Sequence, residues 1–439
     1  VTNQLVFKER RDRFLAELGD RAAIIPAAST VIHHADCEYP FRQDSDFWYL
    51  TGFDEPNAVA LFLPNRPLGE RYVLFVEPKD PSIEVWNGMR WGVEGVLQHF
   101  GVDVAHSLEE FHSLLEQYLQ GAKSLAFRIG RHHKTEPVVL KAWSALLDKA
   151  PRSGFAPQSI APPCAILHRL RLRKDPWELT RMREAAQISS DAHELARQFT
   201  KPGMNEREIQ ALIEQYFLKL GARGPAYGSI VAGGENACIL HYTSNNSPLR
   251  EGDLLLIDAG CSLVDYYNGD ITRTFPVGKK FNGEQRALYE IVLAAQQTAI
   301  DAVLVGNDTD KVHLTAVRVL VEGLIEIGLL RGNVDSIIEQ GSYRHLYMHR
   351  TGHWLGLDVH DVGAYRLGDY EVVLEQGMVL TVEPGLYISD RIPVSENQPI
   401  IDDRWKGIGI RIEDDVLVTN TEPEVLSSGA LKSVDAMEQ

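Results

Sequence analysis

The chain runs to 439 residues, with 44% apolar and 24% charged side chains, long enough for two domains with their own cores and free of the biased tracts that mark disorder. Its 44 basic and 61 acidic residues leave a formal charge of −17, which argues against a nucleic-acid binder working through a general basic surface and leaves only a local basic groove open to that role. Four cysteines without CxxC spacing favour reduced thiols in the cytoplasm over a zinc ribbon or a disulfide scaffold, with Cys261 as a small buried thiol.

The opening VTNQLVFKERRDRF is charged and helical in pattern, without the apolar core and cleavage site of a signal peptide. No run of 18 apolar residues predicts a membrane span. Residues 22–26, 47–51, 58–63 and 72–76 read as strands, and 107–119 and 137–149 as helices, so the first domain is α/β. Pro151, Pro157, Pro162 and Pro163 then interrupt any regular element, which marks a linker or extended crossover. The boundary falls near 170, giving domains 1–170 and 171–439.

Beyond it, Asp175-Pro176 supplies an N-cap followed by proline at the first helical position, and a helical period from Met182 to Phe199 stops at Lys201-Pro202-Gly203. A second helix starts at Asn205, with Glu208 placed for a capping box, and ends at Gly221. Residues 284–304 and 308–330 form another helical pair, again followed by strand-like text. Gly252, Asp258 and Gly260 repeat the spacing of Gly377, Glu383 and Gly385, which predicts a pseudo-symmetric α/β domain with a site where its halves meet.

Four carboxylates carry the chemistry. Asp258 in LLLIDAG and Asp270 in GDITRTF suit neighbouring strands of an antiparallel hairpin, about 4.8 Å apart, where two acids facing one side repel unless a cation sits between them. Glu383 ends VLTVEPG. Glu413 follows Arg411 by strand alternation in IGIRIEDD, so taken alone it reads as the partner of an Arg411 salt bridge on a half-exposed strand. Four negative charges would be cancelled by two divalent cations, and oxygen-rich ligation with one imidazole suits manganese, cobalt or zinc in an open dinuclear site that makes a shared hydroxide nucleophilic. His349, His353 and His360 cluster in MHRTGHWLGLDVHDVG. Gly352 and Gly356 argue for an extended segment, where His349 and His353 lie about 13 Å apart and at most one reaches a given metal. The others would line a cleft, with His241 as a fourth candidate and His345 as a satisfied core residue.

These residues are similar to a known family. Residues from about 170 to 420 resemble the pita-bread metallopeptidases, and ILHYT, LLLIDAG, GDITRTF, HWLGLDVHD, VLTVEPGLY and GIGIRIEDD resemble Xaa-Pro aminopeptidase (aminopeptidase P) of the bacterial type. DCEYPFRQDSDFWYLTGFDEPNA is similar to that family's creatinase-like N-terminal domain. The resemblance implies a dimetal exopeptidase that releases the N-terminal residue from peptides with proline second, by attack of a metal-bridging hydroxide. It implies that Asp258, Asp270, His353, Glu383 and Glu413 bind two manganese ions, Asp270 and Glu413 bridging, Asp258 serving one ion and His353 with Glu383 the other. His241, His349 and His360 would line the substrate cleft, Glu383 would shuttle the proton, and Tyr387 and Arg411 would support the metal site. Trp86 resembles an aromatic residue contributed by a neighbouring subunit, which implies a homo-oligomer, tetramer or dimer. In two places the chain departs from the family: the Asp258 to Asp270 hairpin is one residue longer, an addition expected in the turn, and Arg350-Thr351 replaces the usual continuation after His349. Rival readings are a prolidase restricted to dipeptides, a metal-free creatinase-type enzyme, and an inactive pita-bread domain that binds peptides.

Overall fold

The computed structural model describes residues 4–389 and 391–439, and their contacts divide into two units, one ending at Arg171 and the other beginning at Leu172. In the first, the strand Arg21–Pro26 lies inside a six-stranded mixed sheet. It pairs antiparallel with Val59–Phe62, Ala23 opposite Phe62, and parallel with Ser124–Ala126. Tyr72–Val76 and Val104–Ser107 extend one side and Ile160–Ala161 the other. Ile24, Leu61, Phe75 and Leu125 of the sheet pack with Phe111, Leu115 and Leu146 of the helices Phe111–Leu119 and Glu136–Ser153.

The expected strand at 47–51 is a helix, Ser45–Thr51. Asp44 caps it by accepting from the N–H groups of Asp46 and Phe47, and Gly52 closes it at φ 63°. Every residue from Phe47 to Thr51 is buried, so no polar face betrays the helical period, and a short apolar run cannot be told from a strand by pattern. The proline-rich stretch is also more regular than expected. Pro151 sits in the last turn of Glu136–Ser153, Ile160–Ala161 joins the sheet edge, and the helix Cys164–Leu172 follows.

The second unit opens with helices Pro176–Phe199 and Glu206–Lys219, each begun by a capping box, Asp175 with Glu178 and Asn205 with Glu208. A three-stranded antiparallel sheet follows, Ile230–Gly233, Leu254–Asp258 and Thr272–Pro276, with Asp258 opposite Thr272. The pattern recurs: helices Gly283–Asp301 and Thr309–Glu326 precede Val379–Val382, paired with Asp414–Leu417, and Gly385–Ile388, paired with Ile408–Arg411. Leu254–Asp258 and Val379–Val382 are buried along their whole length, which is why their text is nearly all apolar rather than alternating; Ile408–Arg411 and Asp414–Leu417 are equally buried but carry Arg411, Asp414 and Asp415 inside. IGIRIEDDVLVT is therefore two strands rather than one, broken at Ile412 and Glu413. At that break Glu413 bridges to Thr272, joining the two repeats.

Candidate metal centre

Asp258 ends its strand, whereas Asp270 lies two residues before Thr272–Pro276. The chain between them turns through Leu263 to Tyr267, where Tyr266 takes φ 70° and Leu263 donates to the Tyr267 carbonyl at 2.9 Å. Both acids face one side: each places Oδ1 2.5 Å from the Tyr227 hydroxyl. That hydroxyl has one proton to give, so two carboxylates crowd one donor. Arg411 Nη2 donates to Asp258 Oδ2 at 2.6 Å, Nε to Thr272 Oγ1 at 3.1 Å and Nη1 to the Tyr387 hydroxyl at 3.0 Å. The guanidinium thus pairs with Asp258, not with Glu413 as alternation alone suggests. Glu413 Oε2 instead accepts from Thr272 Oγ1 at 2.6 Å, and the Asp270 N–H donates to Asp415 Oδ2 at 3.2 Å.

The histidines divide. His353 lies on an irregular segment with no helix. Its Nδ1 is 3.1 Å from the Trp354 carbonyl, which leaves Nε2 facing Asp270 Oδ2 at 3.4 Å and Glu383 Oε1 at 3.9 Å. Donor atoms of Asp270, His353 and Glu413 all lie within 4.8 Å of one another. His349 also borders Glu383, Nδ1 to Oε2 at 3.6 Å, but its bonds go elsewhere: Nε2 is 2.9 Å from the Tyr387 hydroxyl and Nδ1 2.7 Å from the Arg350 carbonyl. Since Tyr387 accepts from Arg411, its proton goes to Nε2, and His349 is the neutral Nδ1–H tautomer. His360 packs edge-on against His353 with ring centroids 4.3 Å apart. His241 and His360 are exposed, and partial burial of the His360 ring, then His353 and His241, hold His360 below the usual imidazole value against Asp270. Behind them, a buried ion pair between Lys174 Nζ and Asp361 Oδ2 at 3.0 Å anchors the residue after His360. His345 is buried, its Nδ1 2.9 Å from the Ser342 carbonyl. Trp86 belongs to the first unit and is exposed on the helix Pro81–Asn87.

The electrostatics fit a cationic guest. Burial pushes Glu383 up to about 7, and Asp270 and Asp258 add to the shift against the pull of His353 and Arg411. Burial, then Asp270, Glu383 and Asp258, push Glu413 well above the carboxylate range, and burial raises Asp258 despite Arg411. His353 is raised as well, to about 9, but by its neighbours: burial opposes its charge, and Asp270 and Glu383 outweigh burial. Burial and Arg411 hold His349 down, at about 3. Four acids share one guanidinium and one imidazole, so the set cannot ionise fully without further positive charge. Carboxylate oxygens with one oriented imidazole are the donors that hard or borderline divalent ions take.

Residues 180–420 match metallopeptidase family M24, and residues 7–127 match the aminopeptidase P N-terminal domain. The chain belongs to metallopeptidase family M24, as an aminopeptidase P N-terminal domain followed by a pita-bread domain. Within that family it stands among the Xaa-Pro aminopeptidases. It is 44% identical to the Xaa-Pro aminopeptidase of Haemophilus influenzae over 98% of this chain and 96% of the relative. To that of Escherichia coli it is 41% identical, over 98% and 96%. The solved aminopeptidase PepP of Pseudomonas aeruginosa superposes with a TM-score of 0.94 at 42% identity, covering 99% of this chain and 97% of that one.

Three residues of the site escape a reading of the sequence. Tyr227 lies in irregular text, GPAYG, that carries no motif. Asp415 hides beside the more conspicuous Glu413. Thr272 was the findable one, because it stands two residues after Asp270 and alternation puts both on one face.

Proposed function

We propose that the chain removes the N-terminal residue from peptides whose second residue is proline, using two divalent ions, most readily manganese, held by Asp258, Asp270, His353, Glu383 and Glu413. The observation that carries this reading is the buried, mutually repelling donor set around Asp270, His353 and Glu413, in a chain that aligns with Xaa-Pro aminopeptidases from end to end. Ions bound there would supply a nucleophilic water at neutral pH and an electrophile for the scissile carbonyl. The protein's own groups do the rest.

Glu383, which faces His353 within the donor set, would take the proton of the attacking water and pass it to the departing proline nitrogen. His349, neutral and with both ring nitrogens engaged by Tyr387 and the Arg350 carbonyl, lines the cleft wall, while His241 and His360 steady the carbonyl oxygen as charge develops on it. Arg411 holds Asp258 and orders Tyr387, fixing the cleft wall. The free amine of a peptide would bind beside the ions and carboxylates, which favours cleavage at the N-terminus. Trp86, exposed on its helix, would complete the cleft of a neighbouring copy in a tetramer or dimer.

Metal analysis combined with hydrolysis of Arg-Pro-Pro tests this directly. The expected result is about two manganese ions per chain and release of free arginine, with His353→Ala losing metal and activity together. A His353→Ala protein that kept both metals and full activity would refute the ligand assignment, and cleavage of Xaa-Pro dipeptides alone would refute the substrate class.

A further inference from the structure

Arg350-Thr351, the departure inside HRTGH, is explained by the helix Thr309–Glu326. Asp310 and His313 stand three residues apart in its first turns and so project from one face. Asp310 forms an ion pair with Arg350. His313 Nδ1 lies 2.8 Å from Thr351 Oγ1. Consecutive residues of the histidine segment therefore grip one face of one helix.

The Thr351 hydroxyl is shared further, lying 2.7 Å from the buried Tyr347 hydroxyl. The Tyr347 ring in turn meets the His349 ring edge-on, centroids 4.8 Å apart. On its backbone side, Thr351 accepts the Glu383 N–H at 2.7 Å. Burial, reinforced by Arg350, holds His313 near 4. It is neutral at pH 7, so Nδ1 can accept the Thr351 proton while Tyr347 donates to Oγ1. One hydroxyl thus joins the helix, the packing partner of His349 and the backbone beside Glu383.

We propose that Arg350 and Thr351 form a clamp onto Asp310 and His313 that positions Glu383 and His349 for the reaction. Thr351 and His313 touch neither substrate nor metal and act only through their neighbours. Arg350 is half exposed, so its share is the smaller and is screened by salt; Thr351 is buried and carries the larger. The proposal rests on the function given above for Glu383, but its structural half can be measured without turnover.

Hydrogen exchange at the Glu383 amide, followed in chelated protein, reads the clamp itself. Thr351→Val, which keeps the shape and removes the hydroxyl, should speed that exchange about tenfold, while Thr351→Ser leaves it unchanged. In loaded enzyme, kcat on a proline-second peptide should fall about tenfold with KM within twofold, and Thr351→Ser should restore it. His313→Leu should mimic Thr351→Val, and the double variant should be no worse than either alone, because both remove the same bond. His313→Asn, whose amide occupies the place of Nδ1, should keep most activity. If Thr351→Val does not fold, the His313→Leu and His313→Asn pair decides. Unchanged exchange at Glu383, or independent multiplication of the two losses, overturns the clamp. A wild-type protein that cleaves no proline-second peptide would instead overturn the reading of Glu383 while exchange still reported on the clamp.

Discussion

Gly352 separates Thr351 from His353, and the smallest addition there should disable the site. A Cβ at this position would stand 1.9 Å from the Thr381 carbonyl oxygen and 2.9 Å from its carbon. An ordinary carbon–oxygen contact needs about 3.3 Å, so Gly352→Ala forces the histidine segment and the strand Val379–Val382 about 1.4 Å apart. Two backbone hydrogen bonds flank the contact, Glu383 N–H to the Thr351 carbonyl at 2.7 Å and Thr381 N–H to the His353 carbonyl at 2.9 Å. Stretched by that amount, both pass beyond hydrogen-bonding range. Each is worth about 0.5–1.5 kcal/mol net, and overpacking adds about 1–3 kcal/mol. The expected loss of stability is about 2–4 kcal/mol, allowing for partial relaxation.

The functional loss should exceed the structural one. A displacement near 1 Å at a reacting group costs about a hundredfold in rate, and here it falls on His353 and Glu383 together. The assay is kcat/KM on Arg-Pro-Pro beside metal content and a thermal melt of the same preparation. Wild-type metal content with kcat/KM within threefold and an unshifted melt would refute the packing argument, since nothing soft lies opposite the new carbon.

Tyr227→Phe removes the hydroxyl that Asp258 and Asp270 share; the fold should survive, and a metal titration should show affinity weakened about 10–100-fold, the range expected when a partner of a metal ligand is lost. Buried Asp414 bonds Arg273 at 2.7 Å and Lys432 at 2.6 Å, and these cations, against burial, hold it at about 2 rather than 3.8. Its folded-state value is depressed, so its contribution is present above pH 3.8 and lost as pH falls through 2, amounting to about 2.5 kcal/mol. Melts from pH 7 down to pH 2.5 should therefore slope more steeply for the wild type than for Asp414→Asn, which should already be destabilised by about 3–5 kcal/mol at pH 7 through the unpaired Arg273. Equal slopes would discount the pair. Chelation should lower the melting temperature and manganese should restore it, because ions that bind only the folded chain stabilise it by mass action; a melt indifferent to chelator would argue that no ion occupies the cluster.

Much of the fold was legible where local chemistry decides it. Asp175 and Asn205 announced their helices through capping boxes that the structure contains, and 22–26, 58–63 and 72–76 read as strands because β-branched and apolar residues ran between turn signals. Residues 47–51 misled because the helix is buried on every side and the cap that defines it, Asp44, looks like any loop aspartate. The site was legible as composition more than as geometry. Spacing suggested that Asp258 and Asp270 face each other, and they do converge on one hydroxyl, but not as ladder partners. Alternation assigned Arg411 to Glu413, yet the strand breaks between them, and the guanidinium reaches across to Asp258. Such long-range pairing depends on where two strands end, which no local pattern encodes.

The supports of the carboxylates cross from one repeat to the other. Asp258 belongs to the first repeat and is held by Arg411 of the second. Glu413 belongs to the second and is held by Thr272 of the first. Asp270, from the first, gives its N–H to Asp415 of the second. Neither half alone could bury its acids at tolerable cost, because each supplies the hydrogen-bonding partner that the other lacks. The pseudo-symmetric pair therefore behaves as one cooperative element at the site, and the pressure of four crowded acids is built up by the same contacts that join the halves. A cation bound among these acids would relieve that pressure, and ion binding would then be coupled to the packing of the repeats.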